Sequence, residues 1–182
     1  GKKIPKNLVI HLKDCFHVKV TLRGNSLNYE KYKIFNENNS TFGLDAKNIE
    51  DFYKIIDEFE PDFVINAIGI TKQISNIDEK ETIYINGEFP HLISEYVKNI
   101  ELMVQLSTDC VFSGEKGNYI ETDIVDAKDV YGKSKSMGEI ILDNVITIRK
   151  STIGFELSEP HGLFEWWYRS SGKISGFDNA NI

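Results

Sequence analysis

The chain has 182 residues, 41% of them hydrophobic and 27% charged, which allows one domain with a substantial core and is too short to expect two. A net charge of −7 argues against a general nucleic-acid binder, which needs a basic face, but leaves room for a local pocket for one phosphorylated ligand. No apolar run approaches the roughly 18 residues of a membrane span, and neither Cys15 and Cys110 nor the four histidines have metal-ligand or disulfide-framework spacing.

The opening GKKIPKNLVIHLKD is basic, but its apolar stretch is too short for a signal peptide. A reducing cytoplasm is the simplest setting. Apolar positions 8, 9, 12 and 16 predict an amphipathic helix over Asn7 to Phe16, and HVKVTL alternates like a strand before Arg23-Gly24. Asn25 to Thr41 is rich in Asn and Tyr and reads as irregular. Ile49, Phe52, Tyr53, Ile56 and Phe59 form one stripe of a helix within Asp45 to Phe59, which Pro61 stops.

DFVINAI, from Asp62 to Ile68, has the continuous apolar character of a buried parallel strand. Glu79 to Asn99 predicts a long helix in which Pro90 marks a bend or a boundary. Leu102 to Leu106 and Val145 to Ile148 read as strands, and Val130 to Leu142 and Gly162 to Ser170 as helices. This alternation predicts an α/β fold, a doubly wound parallel sheet with helices on both faces, although it opens on a helix where such folds usually open on a strand.

Ligands of open parallel sheets bind outside the carboxyl ends of the strands. Those ends carry Arg23, then Asn66-Ala67-Ile68-Gly69, then Ser107-Thr108-Asp109, then Arg149-Lys150-Ser151. Two tyrosines precede a lysine by four residues, in Tyr29/Lys33 and Tyr131/Lys135. Only the second pair opens a predicted helix downstream of a strand that ends in Ser-Thr. An ammonium one helical turn away is expected to lower the tyrosine pKa toward the working pH, and the Thr108 hydroxyl to hold a substrate oxygen beside the phenol. Together they make a proton donor and an anchor for a carbonyl that accepts a hydride.

STDCVFSGEKGNYIETDIVDAKDVYGKSKSMGE resembles the active-site stretch of extended short-chain dehydrogenase/reductases, and more narrowly that of the dTDP-4-dehydrorhamnose reductase group of nucleotide-sugar enzymes. PDFVINAIGI, Asn86-Gly-Glu-Phe-Pro-His91, IRKSTIG and GLDAKNIE extend the resemblance over about residues 6 to 177. It implies a Rossmann-like fold with Thr108, Tyr131 and Lys135 as the catalytic set. It also implies Thr108 and Asp109 beside the substrate, and Arg23, Asp45, Asn66, Ala67 and Gly69, with Tyr131 and Lys135, along the cofactor.

Arg23 stands where a cation accepts the 2′-phosphate of NADP, so NADPH is the expected cofactor, with NADH possible. The implied activity is reduction of a keto group on a nucleotide-linked deoxysugar for polysaccharide precursors, in a possible homodimer without nucleic-acid or membrane partners. Alternatives are an NAD-dependent epimerase or dehydratase and a non-catalytic regulatory subunit of the same fold. Cys110 stands where the group often has tyrosine, which leaves the sugar open.

The family opens with a strand and a GxxGxxG turn, which GKKIPKNL does not match, and continues beyond the counterpart of Ile182. The expectation is therefore a single, partial NAD(P)-binding domain over residues 1–182, shortened at both ends, with 155–182 beginning the substrate subdomain. Without that first strand its neighbours should keep unpaired edges. The 182-residue chain is expected to bind NADPH more weakly than micromolar in a fluorescence titration; micromolar affinity would overturn this.

Overall fold

The computed structural model describes residues 3–72, 75, 78–151 and 163–173. Among the described residues, five parallel strands fall into two sheets. β1 (Val20–Leu22) pairs with β2 (Ser40–Phe42), while β3 (Phe63–Asn66), β4 (Leu102–Leu106) and β5 (Val145–Ile148) form a three-stranded sheet in that order. Register sets Thr21 opposite Thr41, Ile65 opposite Val104, and Val104 opposite Ile146. The architecture is α/β and Rossmann-like, with the parallel sheet in two pieces. No helix of the described residues is long and apolar enough to cross a membrane.

The first helix, α1 (Lys3–Leu12), starts earlier than the apolar spacing predicts and contains Pro5. Pro in a first turn loses little, because the N–H it lacks would have no helical partner there. β2 lies at the end of the Asn-rich segment expected to be irregular. There a 3₁₀ turn, Ser26–Tyr29, is capped by Asn25, whose side chain accepts from Asn28 N. Tyr29 is buried in it, and its hydroxyl donates to the Arg23 carbonyl. That tyrosine, the first of the two with a lysine four residues on, is thus a core residue. It packs with Val9, Val20, Leu22, Tyr32 and Phe35 in one apolar cluster.

The larger cluster joins α2 (Ile49–Phe59), the helical run from Glu79 to Tyr96, and the three-stranded sheet through Phe52, Phe89, Ile93, Met103 and Val145. Phe52 and Phe89 meet edge to face at 5.1 Å, a favoured aromatic geometry. The run from Glu79 is three segments: α3 (Glu79–Ile83), a π-helical turn (Tyr84–Glu88) and α4 (Phe89–Tyr96). The irregularity expected at Pro90 is met by the π turn just before it, in which Phe89 N donates to Tyr84 O. A widened turn is a known way to absorb a broken hydrogen-bond ladder, and such turns often lie at functional sites.

Among the described residues, the two faces of the three-stranded sheet are unevenly covered. One face buries Met103, Gln105 and Val145, while Phe63, Ile65, Ile146 and Ile148 on the other are each more than a third exposed. The helix expected to run to Leu142, α5 (Val130–Met137), stops at Gly138. α6 (Leu163–Arg169) bears Trp166 and Trp167, both exposed. Most of the expected substrate portion at 155–182, and Thr152 to Gly154 of IRKSTIG, lie outside the described residues.

Phe89 is 1% exposed at the centre of the larger cluster. Phe89→Ala is expected to lower unfolding free energy by about 3–5 kcal/mol, read from urea unfolding followed by circular dichroism.

Candidate active site

The site forms at the carboxyl ends of β3 and β4, where α5 begins. Thr108 caps a 3₁₀ turn (Asp109–Val111): its Oγ1 accepts from Cys110 N at 3.2 Å and donates to Asp109 Oδ1 at 3.0 Å. Asp129 caps α5 by accepting from Gly132 N at 2.8 Å, so Tyr131 sits in the first turn and Lys135 one turn on, on the same face. Thr108 and Tyr131 come together, near enough for the threonine side chain to lower the tyrosine pKa.

The glycine after Tyr131 is sterically required. A Cβ on Gly132 would stand 2.3 Å from the Cys110 carbonyl oxygen, so any other residue would push α5 off the turn that carries Thr108. Gly138 makes a similar approach. Pro90 has no N–H to give the Asn86 carbonyl, and the C-cap of α5 closes onto that oxygen, where a Cβ would come within 2.0 Å.

Lys135 is 5% exposed, and its Nζ donates to the Leu106 carbonyl at 2.7 Å. Burial pulls its pKa down to about 8 against the field of Glu139. Glu139 itself accepts from Ser107 Oγ at 2.7 Å and is gripped by both arms of Arg149, at 2.8 and 2.7 Å. Gly69 borders this group: a Cβ there would lie 3.7 Å from Lys135 Nζ.

The expected lowering of the phenol pKa is not what the geometry produces. Burial raises the Tyr131 pKa, with Thr108 and Lys72 acting in the opposite direction. The ammonium of Lys135 is instead turned to the strand carbonyl. Lys72, from the loop after β3, forms a 2.8 Å ion pair with Asp129 at the helix cap. Gly132 N–H and Lys72 together hold the Asp129 carboxyl below its usual range. Burial opposes ionisation of Asp109, but hydrogen bonds from Ser151 and Thr108 hold its pKa low.

Asn66 is buried at the end of β3, donating to Gln105 Oε1 at 2.8 Å and accepting from Ile68 N at 3.1 Å. Both contacts shape the loop that carries Ala67 and Gly69. Arg23 is exposed just past β1. Asp45 is half-buried after β2, and its Oδ1 accepts from Lys47 N in the turn leading to α2. These two stand just past the ends of the strands of the two-stranded sheet.

Two contributors escaped sequence reasoning as site residues. Asn86, fully buried in the π turn, accepts from Ile70 N at 2.8 Å and donates to Ile70 O and to Ser134 Oγ, both at 3.1 Å. It ties the β3 loop to α5. Lys72 is the other, and in one dimension it is an ordinary surface lysine.

Parallel strands flanked by helices, with a hydroxyl, a phenol and an ammonium gathered at the strands' carboxyl ends, define a Rossmann-like α/β protein. The RmlD substrate binding domain profile matches residues 20–153, well over half of the sequence, and the chain belongs to that family. It is 36% identical over 107 residues to a dTDP-4-dehydrorhamnose reductase of Aggregatibacter actinomycetemcomitans, a match covering 54% of this chain and 35% of that protein. It therefore spans about a third of the length of that curated relative.

Among solved structures, a hypothetical dTDP-4-dehydrorhamnose reductase from Sulfolobus tokodaii superposes with a TM-score of 0.58 at 30% identity, over 72% of this chain and 55% of that one. The dTDP-4-dehydrorhamnose reductase of Bacillus anthracis, solved with NADP, shares the fold at 21% identity and a TM-score of 0.56, over 74% and 54% of the two chains.

The buried Lys135 has a pH signature. Its folded pKa, about 8, lies below the ordinary 10.5, so between those values the unfolded chain binds more protons and stability rises with pH. Below pH 8 the buried charge opposes folding. The stability difference between wild type and Lys135→Met should therefore shift in favour of wild type from pH 8 to pH 10 by about 1 kcal/mol or more, measured by urea unfolding at each pH. A flat difference would contradict the buried ammonium.

Proposed function

We propose that the full-length gene product is an NADPH-dependent reductase of a keto group on a nucleotide-linked deoxysugar, of the dTDP-4-dehydrorhamnose reductase type. The observation that carries this reading is the meeting of Tyr131 with Thr108 at the end of β4, with Lys135 one helical turn away. The family membership and the names of the relatives support it.

The donor set suits a nicotinamide dinucleotide. Lys135 spends one of its three N–H bonds on Leu106, leaving donors for ribose hydroxyls beside the Gly69 loop. Arg23, a cation at the end of β1 where an acidic side chain would favour NAD, supports the phosphorylated form. When bound, the cofactor supplies a hydride to the carbonyl carbon.

The chain's own groups manage the oxygen. With its pKa raised by burial, Tyr131 keeps its proton at neutral pH and is ready to give it to the carbonyl oxygen as negative charge develops there. Thr108 Oγ1 holds that oxygen in line. The phenolate left behind is stabilised by the positive charge of Lys72.

Assayed in the full-length gene product with NADPH and dTDP-4-dehydrorhamnose, turnover is followed as loss of NADPH absorbance. Tyr131→Phe should cut kcat by about 10²–10⁴ while NADPH affinity changes by less than about twofold. Retained turnover in that variant would refute the assignment of the proton donor.

A further inference from the structure

Folding alone gives little reason for the ion pair between Lys72 and Asp129. Its side chains are 59% and 40% exposed, and an ion pair in water adds little to stability. Asp129 needs no lysine to cap α5, because its Oδ1 already accepts from Gly132 N at 2.8 Å. Its second oxygen, Oδ2, holds the Lys72 ammonium at 2.8 Å, so one carboxylate joins the head of a helix to the loop after β3.

The two ends of that pair differ in stiffness. A Cβ on Gly132 would stand 2.3 Å from the Cys110 carbonyl oxygen and 2.5 Å from Ala127 Cβ, so the head of α5 is seated closely against both segments. Lysine has a flexible four-carbon stem, and without an anchor an exposed one keeps no fixed place. The carboxylate is the fixed end and the ammonium the held one.

Tyr131 lies two residues past the cap, and charged groups reach its phenol from several elements. Burial raises its pKa, Asp109 and Cys110 on the 3₁₀ turn add to that, and Thr108 and Lys72 oppose it. Lys135, one turn on, is turned to the Leu106 carbonyl. Lys72 is kept protonated chiefly by its hydrogen bond to Asp129, with the Cys110 thiol and the Tyr131 phenol acting in the same direction. When a carbonyl takes up a hydride and the phenol's proton, it becomes an alcohol and the negative charge is left on Tyr131. A cation facing the phenol is then worth more than before, which is the condition for lowering a barrier.

We propose that Asp129 is a positioning residue for the proton donor: beyond capping α5, it holds the flexible Lys72 side chain where its ammonium faces Tyr131, and turnover depends on that hold. The inference rests on the reading of Tyr131 as proton donor given above.

Cap and hold can be separated, because serine caps a helix about as well as aspartate but carries no charge to bind an ammonium. The test uses the full-length gene product with Asp129→Ser, Lys72→Gln, the two combined, and Lys72→Arg. Turnover is measured with NADPH and dTDP-4-dehydrorhamnose. The Tyr131 phenol is titrated by NMR in protein labelled with ¹³C at tyrosine Cζ, its signal assigned through Tyr131→Phe. Each single variant, Asp129→Ser or Lys72→Gln, should lower kcat by about tenfold while KM for NADPH changes by less than about twofold. Adding Asp129→Ser to Lys72→Gln should cost nothing more, because no ammonium is left to hold. Lys72→Arg, which keeps the charge, should recover most of the loss.

The titration has a sign that only a positioning role produces. Removing a carboxylate beside an acid by itself moves that acid's titration to lower pH. Asp129→Ser is expected to move the Tyr131 titration to higher pH, as Lys72→Gln does, because the cation is released. A move to lower pH in Asp129→Ser, an unchanged kcat in either single variant, or losses that add in the double variant would overturn the proposal. Turnover retained by Tyr131→Phe would overturn the donor assignment and this inference with it. An inactive Tyr131→Phe beside an unchanged Lys72→Gln would overturn this inference alone.

Discussion

A single buried amide organises the site. Asn86 has both its oxygen and its nitrogen occupied by the backbone of Ile70 and the hydroxyl of Ser134, so three segments remote in sequence are tied at one side chain. A buried amide that lost those partners would carry the cost of an unmet hydrogen bond, about 1–3 kcal/mol per group, which makes the arrangement close to all-or-none. The π turn and Pro90 belong to the same device. They leave the Asn86 carbonyl without a helical donor from residue 90 and let the end of α5 close onto it, so the helix bearing Tyr131 and Lys135 has a fixed depth and rotation.

Around that joint the charges are arranged in two tiers. Arg149 and Glu139, with Ser107, form a hydrogen-bonded group behind Lys135, and the field of Glu139 favours an ammonium that burial disfavours. In front, Lys72 and Asp129 join the β3 loop to the cap of α5 and bring a positive charge near the phenol. The tyrosine thus answers to a cation from a different loop more than to the one on its own helix. This reverses the simplest reading of a four-residue tyrosine–lysine spacing while leaving both residues at the site.

Much of this was legible in one dimension. The cores of β3, β4 and β5 were, because short apolar runs bounded by turn residues carry a strong signal. The Thr108–Tyr131–Lys135 grouping was, because it needs only strand-end position and helical period. β2 was hidden, since three residues, Ser40 to Phe42, at the end of an Asn-rich segment show no period. The stop of α5 at Gly138 was obscured by apolar Ile140, Ile141 and Leu142, which continue a plausible stripe. Asn86–Ser134 and Lys72–Asp129 could not be read at all, because each partner is unremarkable until the fold closes the distance.

The two apolar clusters share no buried residue, and β1 and β2 exchange ladder bonds only with each other among the described residues. Cooperativity in a folded chain travels through such shared packing. The cluster around β1, with Val9, Tyr29 and Phe35, is thereby a separate opening unit, able to melt while the helix with the phenol and the ammonium stays docked. Heat absorption on warming would then spread over two overlapping events, the earlier one belonging to the Val9–Tyr29–Phe35 cluster.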